Sequence, residues 1–258
     1  GGVLAISFFF FLFAYSPLSD DRIVFVDVGQ GDSVHISSHG MDVLIDGGGS
    51  IGYNVGKKTL KPYLLKNGAA DIDLALATHQ HMDHMKGLEE LQEVYPVKKL
   101  MTGLTAGTEI NVNKDVKIQT LWPESIPENE GQDANSLCSV FMIFYKEYRI
   151  LVTGDLDEKG EKMMLEKYSK TDALAADVLK IGHHGSPTST CDEFLEAVNP
   201  TYAVIQTGKN NYGHPSPKII EKCVEKGIIV YRNDYHGAIG FSFGKRGITC
   251  HTVTETGE

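Results

Sequence analysis

Apolar and polar positions alternate in short runs over the first third of the chain. RIVFVDV from Arg22, SVHIS from Ser33 and DVLID from Asp42 each read as a strand, joined through Gly-Gln-Gly-Asp and Ser-His-Gly and closed by Gly47-Gly48-Gly49. That pattern predicts an antiparallel meander. Beyond it the period lengthens in places to that of a helix, near Leu60 to Lys66 and Gly87 to Val94, with a buried strand from Leu74 to Ala77 between them. Strands are expected at Val116 to Leu121, Ser139 to Tyr145 and Ile150 to Val152. Helices at Glu158 to Tyr168, Asp192 to Val198 and Pro217 to Lys226 then alternate with strands at Val178 to Ile181, Tyr202 to Ile205 and Ile228 to Tyr231. Two last strands lie around Ala238 to Phe243 and Ile248 to Val253. Helices interspersed with two sets of strands suggest two sheets sandwiched between helical layers.

One segment breaks the pattern. Val3 to Leu18 is an almost uncharged run, VLAISFFFFLFAYSPL, ending at Ser19-Asp20-Asp21. It has no basic residues ahead of it, as a signal peptide would, and no polar position in every turn, as a core helix would. The expectation is therefore the end of a membrane helix (residues 1–20) of a longer parent chain, followed by one domain over residues 21–258. The acidic flank favours an extracytoplasmic position for that domain.

The chain has 258 residues with 24 Lys and Arg against 34 Asp and Glu, a net charge of −10. Such a balance excludes nucleic-acid binding by bulk charge, so any DNA contact needs a local source of positive charge. Four separated cysteines, Cys138, Cys191, Cys223 and Cys250, form no C-x-x-C pair and read as buried thiols.

Residues able to ligate metal gather where strands end. Thr78-His79-Gln80-His81-Met82-Asp83-His84 follows the apolar LALA and places three of the chain's ten histidines and one aspartate within six residues. His79 and His81 project to one side of an extended segment, and Asp83 and His84 open the next helix. Imidazole and carboxylate suit zinc or manganese, so this turn offers two ligands to each of two ions. Leu151-Val152-Thr153-Gly154-Asp155 delivers a carboxylate that, beside the histidines, becomes the natural bridge between two cations. Lys180-Ile181-Gly182-His183-His184-Gly185-Ser186 ends a third strand, one histidine completing the second metal and the other donating a proton or a supporting hydrogen bond.

With these motifs the sequence resembles the metallo-β-lactamase superfamily, and within it the C-terminal domain of the ComEC family of competence DNA-uptake proteins. The resemblance runs from Arg22 to about Val253 and rests on DVGQGDS from Asp27, LIDGG from Leu44, the His79 to His84 motif, Asn135-Ser136-Leu137, Thr153-Gly154-Asp155, HHGS from His183 and YGHP from Tyr212. It implies an α/β fold, the αβ/βαα four-layer sandwich, with metals at one edge. It further implies a first site of His79, His81 and Asp155 and a second of Asp83, His84, Asp155 and His183. Asp46 would orient a ligand histidine or the metal water, so Asp83, Asp46, His184 and His214 stand as candidate catalytic residues. The superfamily usually supplies another histidine before the Gly-Asp; none occurs between His84 and His183, and Asn135-Ser136 occupies the place. An amide oxygen suits Mn²⁺ or Mg²⁺ better than zinc.

Softer signals lie in Asn210, Tyr212 and His214, which either hold a phosphate oxygen or cap the helix beginning at Pro217. Asp27 and Asp32 either shape the rim of the site or serve the hairpin turn, and Lys180, Lys209 and Lys57-Lys58 either contact phosphate or are solvated. Asn135, Ser136, Asn210 and Tyr212 are the expected substrate contacts. Two divalent ions, Zn²⁺ or Mn²⁺, fix hydrolysis rather than substrate, and also provide the local positive charge that an acidic chain otherwise lacks. The expected function is phosphodiester hydrolysis, with DNA as substrate: cleavage of the strand not imported during competence, with single-stranded DNA and the parent's membrane channel as partners and no nucleotide cofactor. The alternatives are an extracellular hydrolase of another phosphodiester, such as choline-phosphate, and a non-catalytic DNA-binding or channel module.

Overall fold

The computed structural model describes residues 21–126 and 135–254; the apolar run before Asp21 lies outside them. Two seven-stranded sheets face each other. The first has the order β14-β13-β1-β2-β3-β4-β5 and the second β12-β11-β10-β9-β8-β7-β6. In the first sheet β1 (Arg22–Phe25), β2 (Val34–Ser38) and β3 (Met41–Ile45) form the antiparallel meander, and β4 (Leu74–Leu76) and β5 (Leu100–Met101) join β3 in parallel. The second sheet comprises β6 (Glu109–Asn111), β7 (Val116–Trp122), β8 (Val140–Tyr145) and β9 (Tyr148–Val152), antiparallel, then β10 (Val178–Lys180), β11 (Tyr202–Ile205) and β12 (Ile229–Arg232), parallel. The closing hairpin β13 (Ile239–Gly244) and β14 (Gly247–Thr252) returns to the first sheet beside β1.

Alternation explains the layers. On β1, Ile23 and Phe25 enter the core between the sheets with Phe141, Ile143 and Tyr145 of β8, while Val24, and Val26 just past the strand, turn outward. The outer face of the first sheet is covered by a π-helical turn (Gly56–Leu60) running into α1 (Lys61–Lys66) and by α2 (Met82–Gln92), through Leu60, Leu64, Leu88 and Leu91. The outer face of the second receives α3 (Glu158–Tyr168), α4 (Asp192–Val198) and α5 (Pro217–Glu225) through Met164, Phe194, Leu195 and Ile219. A short α6 (Asn233–His236) links β12 to β13. Strands apolar on both faces, such as VFMIFY of β8, are what a sheet buried on both sides requires.

The expected four layers are present, with additions at the edge. β5 is two residues long, and β6 is a largely exposed Glu-Ile-Asn edge strand whose polar residues carry no strand pattern. The helix after the histidine motif begins at Met82, five residues ahead of the expected Gly87. Loops following β1, β3, β4, β9, β10 and β11 all emerge at one edge of the sandwich, at the C-terminal ends of parallel strands where open α/β sheets form their sites.

Candidate metal centre

The apolar strand β4 ends at Leu76, and the chain then delivers buried Thr78 and His79, exposed His81, and Asp83 and His84 in the first turn of α2. What holds that turn in place is backbone packed on backbone. A Cβ at Gly87 would lie 1.9 Å from Gly47 O and one at Gly49 1.9 Å from Met82 O, so only glycines allow the loop after β3 to meet α2. Gly47 N donates to His84 O at 2.8 Å and Gly87 N to Gly48 O at 2.8 Å, sealing the contact.

Asp46, wholly buried and with φ of 59°, organises this corner. It accepts from Thr78 N and Thr78 Oγ1, each at 2.8 Å, and from His84 Nδ1 at 2.9 Å. Because the Thr78 hydroxyl proton goes to Asp46, its oxygen accepts from His79 Nδ1 at 3.0 Å. His184 Nδ1 donates to the Gln206 carbonyl at 2.9 Å. In the neutral form of all three rings the proton sits on Nδ1, leaving an Nε2 lone pair free for a cation.

These lone pairs converge. His84 Nε2 lies 3.1 Å and His184 Nε2 3.3 Å from Asp155 Oδ1, and His184 Nε2 is 3.3 Å from Asp83 Oδ2. The ligand atoms of Asp83, His84, Asp155 and His184 all lie within 4.8 Å of one another, as do those of His79, His81 and Asp155. Asp155 therefore belongs to both groups. Among the described residues, buried His79 Nε2, His84 Nε2, His184 Nε2 and Asp155 Oδ1 have no hydrogen-bond partner. Lone pair facing lone pair in a dry site is unfavourable unless a cation stands between them. Two cations fit this donor set, and imidazole with carboxylate and no thiolate is the chemistry of zinc, manganese or iron.

The electrostatics agree. Burial opposes charge on His84, yet Asp155, Asp46 and Asp32 outweigh it and raise its pKa well above the usual value. Against the same opposition from burial, Asp155 and Asp32 push His184 up to about 10. Burial works against ionisation of Asp83 too, but His184 and His84 hold it down to about 2. His79, away from most of the carboxylates, moves the other way through burial and the neighbouring His84. A metal-free centre of this kind demands positive charge, and the histidines take up protons to supply it.

His183 and His184 are both in the left-handed region, with φ of 47° and 53°. The backbone curls rather than extending from β10, so His184 enters the Asp83, His84 and Asp155 group. His183, expected there from the motif, stands further out: its Nε2 is 3.8 Å from Asp155 Oδ2 and 3.5 Å from Asn135 Nδ2. Burial lowers the pKa of His183, and of His214, whose ring centroid is 5.5 Å away. Both are neutral imidazoles at neutral pH, and each has a buried Nδ1 without a partner among the described residues.

The remaining expected residues divide. Ser136 is 2% exposed and donates to the Asp157 carboxylate at 2.8 Å, which in turn caps α3 by accepting from Gly160 N at 2.9 Å. Its hydroxyl proton is committed to Asp157. Asn210 is a strut of its loop, accepting from Tyr212 N and His214 N and donating to His214 O. Tyr212 is exposed at the rim.

Two residues that sequence reasoning treated as peripheral are central. Asp32, from the Gly-Gln-Gly-Asp turn, lies 3.2 Å from His184 Nδ1 and 3.7 Å from His84 Nδ1, and is paired with Lys180, which is fully buried and donates to Gly154 O at 2.7 Å. One carboxylate thus supports ligand histidines from both sheets, and its lysine partner fixes the turn carrying Asp155. The available signal was a lysine inside the apolar strand VLKIG, a charge that burial forces to find a partner.

With this geometry, comparison with known proteins is informative. A family model for the metallo-beta-lactamase superfamily matches residues 26–111. ComE operon protein 3 of Bacillus subtilis is 30% identical over 285 aligned positions, which take in 95% of this chain and 36% of that protein. The chain carries a metallo-beta-lactamase domain. Its curated relatives are of the ComEC family and include competence protein ComA of Neisseria gonorrhoeae, 31% identical over 240 positions, covering 90% of this chain and 34% of that protein. The chain spans about a third of the length of these relatives. Among solved structures, the metallo-beta-lactamase fold protein YhfI of Bacillus subtilis superposes with a TM-score of 0.55 at 13% identity, over 85% of this chain and 99% of that one, which shows the shared fold.

Proposed function

We propose that this domain is a metal-dependent phosphodiester hydrolase whose substrate is DNA, acting on the strand left outside during competence uptake. The observation that carries the reading is the convergence of three bare Nε2 atoms on the Asp155 carboxylate. The names of the curated relatives, a ComE operon protein and a competence protein, direct the substrate towards DNA. The apolar run from Val3 to Leu18 supports a domain held at a membrane, on its outer side; among the described residues no helix is long and apolar enough to cross one.

His79, His81 and Asp155 would hold one ion and Asp83, His84, Asp155 and His184 the other. Divalent ions bound there supply Lewis acidity towards water and a phosphate oxygen, and positive charge at an acidic surface. The chain's own residues do the rest. Asp46, Thr78, Gln206 and Asp32 fix the ring orientation of the ligand histidines before substrate arrives. Asp83 stays ionised on the half-open side. His183 and His214, neutral at the mouth, each have one ring N–H to offer a phosphate oxygen or, through His214, the departing alkoxide. Asn135, whose Oδ1 is buried without a partner, lies against His183 and limits how that ring turns.

The test is cleavage of labelled single- and double-stranded DNA by the purified chain with Mn²⁺ and with Zn²⁺, beside an Asp83→Ala variant. Manganese-dependent cleavage that falls at least ~100-fold in the variant is expected. Binding of DNA without cleavage under any metal, or turnover of small phosphodiesters alone, would contradict the proposal.

A further inference from the structure

On the outer face of the first sheet, at the end of β1 remote from the metal centre, a cavity of about 400 Å³ opens between β1, β13, β14 and the C-terminal end of α1. It follows from side-chain size. β13 sends Ile239, Phe241 and Phe243 into the core, so Gly240 and Ser242 face outward and leave space that no helix among the described residues closes. A Cβ at Gly240 would meet only Val24 Cγ2 at 3.6 Å and His251 O at 3.8 Å, both ordinary contacts.

The lining is basic in a chain whose net charge is −10. Arg22, Lys66 and His251 contribute to it, Asn67 and Ser242 add neutral hydrogen-bonding groups, and among the described residues none that lines the cavity is acidic. Arg22 Nη2 donates to Asn67 Oδ1 at 2.9 Å, while its Nε is buried with no acceptor among the described residues. Asp42 shares a cross-strand row with Arg22 through Ser37, but its carboxylate is engaged by His35 Nε2 at 2.9 Å. A guanidinium partly withdrawn from water with a donor unsatisfied, beside a cavity that Lys66 also lines, calls for an oxyanion. The planar fork of Arg matches phosphate in particular.

We propose that this cavity is an accessory phosphate site, separate from the metal centre, that holds a backbone phosphate of single-stranded DNA; the identity of the strand rests on the function proposed above. Phosphate bound there tethers the substrate away from the scissile bond, so it changes affinity for a strand without changing chemistry on a small substrate.

Inorganic phosphate titrated into the ¹⁵N-labelled 258-residue chain reads the site without turnover. Saturable shifts of the Gly240, Ser242 and His251 amides are expected at millimolar phosphate, and their loss in Arg22→Gln and in the exposed-position variant Lys66→Glu. The same variants should bind an oligothymidylate about 5-fold more weakly, with unchanged hydrolysis of bis(p-nitrophenyl) phosphate. No shifts up to about 20 mM phosphate, or shifts that persist in both variants, would overturn the site. Phosphate shifts combined with unchanged oligothymidylate affinity, and with Arg22-dependent binding to phosphatidylglycerol vesicles, would overturn its assignment to DNA. Absence of nuclease activity bears on the metal centre, since the phosphate shifts require no cleavage.

Discussion

At the scale of single residues, Asp32 is the most exacting position in the site. Its carboxylate answers a buried ammonium and supports two ligand imidazoles at once, so Asp32→Asn removes the anion and leaves Lys180 charged in a dry interior. The expected cost is about 3–5 kcal/mol of stability and a 10–100-fold loss of metal affinity. Adding Lys180→Met should recover stability, read by urea unfolding, while metal affinity stays low; recovery of both would show that Asp32 acts only by neutralising the lysine. A pH dependence follows from the same charges. His84 and His184 have folded pKa values raised above the usual histidine value in the metal-free centre, His184 to about 10. Their contribution to metal-free stability is full below pH ~6.5 and is lost as pH rises through about 10. Bound ions replace those protons, so melting of the metal-free chain should fall from pH 6.5 towards pH 9.5 while the stabilisation given by metal grows. A flat metal-free profile would contradict this charge assignment. The convergence of the histidine motif and Asp155 on one place was legible because their types and order are rare in combination. The exchange between His183 and His184 was not, because it depends on two successive left-handed residues that no side-chain pattern announces.

At the scale of elements, the site is held by contacts between secondary structures that are distant in sequence. Gly87→Ala places a methyl group against Gly47 O, and α2 must retreat from the loop that carries Asp46. A loss of about 1–3 kcal/mol, accompanied by weaker metal binding, is expected from parallel unfolding and metal titrations; stability lost with affinity intact would mean that α2 moves without disturbing His84. Glu161 of α3 plays a comparable part on the other sheet. It is buried and accepts from Thr190 N and Cys191 N, groups at the start of α4 that no local side chain caps. Glu161→Ala leaves both donors unsatisfied, and a cost of about 2–4 kcal/mol should appear in chemical unfolding; a change under 0.5 kcal/mol would mean that water replaces the carboxylate. The long strands and the helices α3, α4 and α5 were readable from periodicity alone. β5 and β6 were not, since a two-residue strand and an exposed polar edge are defined by their partners rather than by their own residues.

At the scale of the whole molecule, the two sheets are complementary halves of one centre. The first supplies Asp32, Asp46 and the histidine motif, the second Asp155, Lys180 and His184, and the core between the sheets sets their distance. Layering was foreseeable, because runs apolar on both faces need cover on both sides. The joint role of Asp32 and Lys180 was not, because it couples turns about 150 residues apart that meet only after the sheets have packed. A net charge of −10 would ordinarily repel a polyanion, and in the proposed function a pair of cations held by these residues would offset it. The most direct test of this arrangement is elemental analysis of the purified chain and of Asp155→Ala after equilibration with Mn²⁺ or Zn²⁺ and desalting. Because Asp155 belongs to both ligand groups, the account predicts about two ions per chain in the parent and loss of both from the variant. A parent that retains no metal, or an Asp155→Ala chain that retains the full complement, would contradict it.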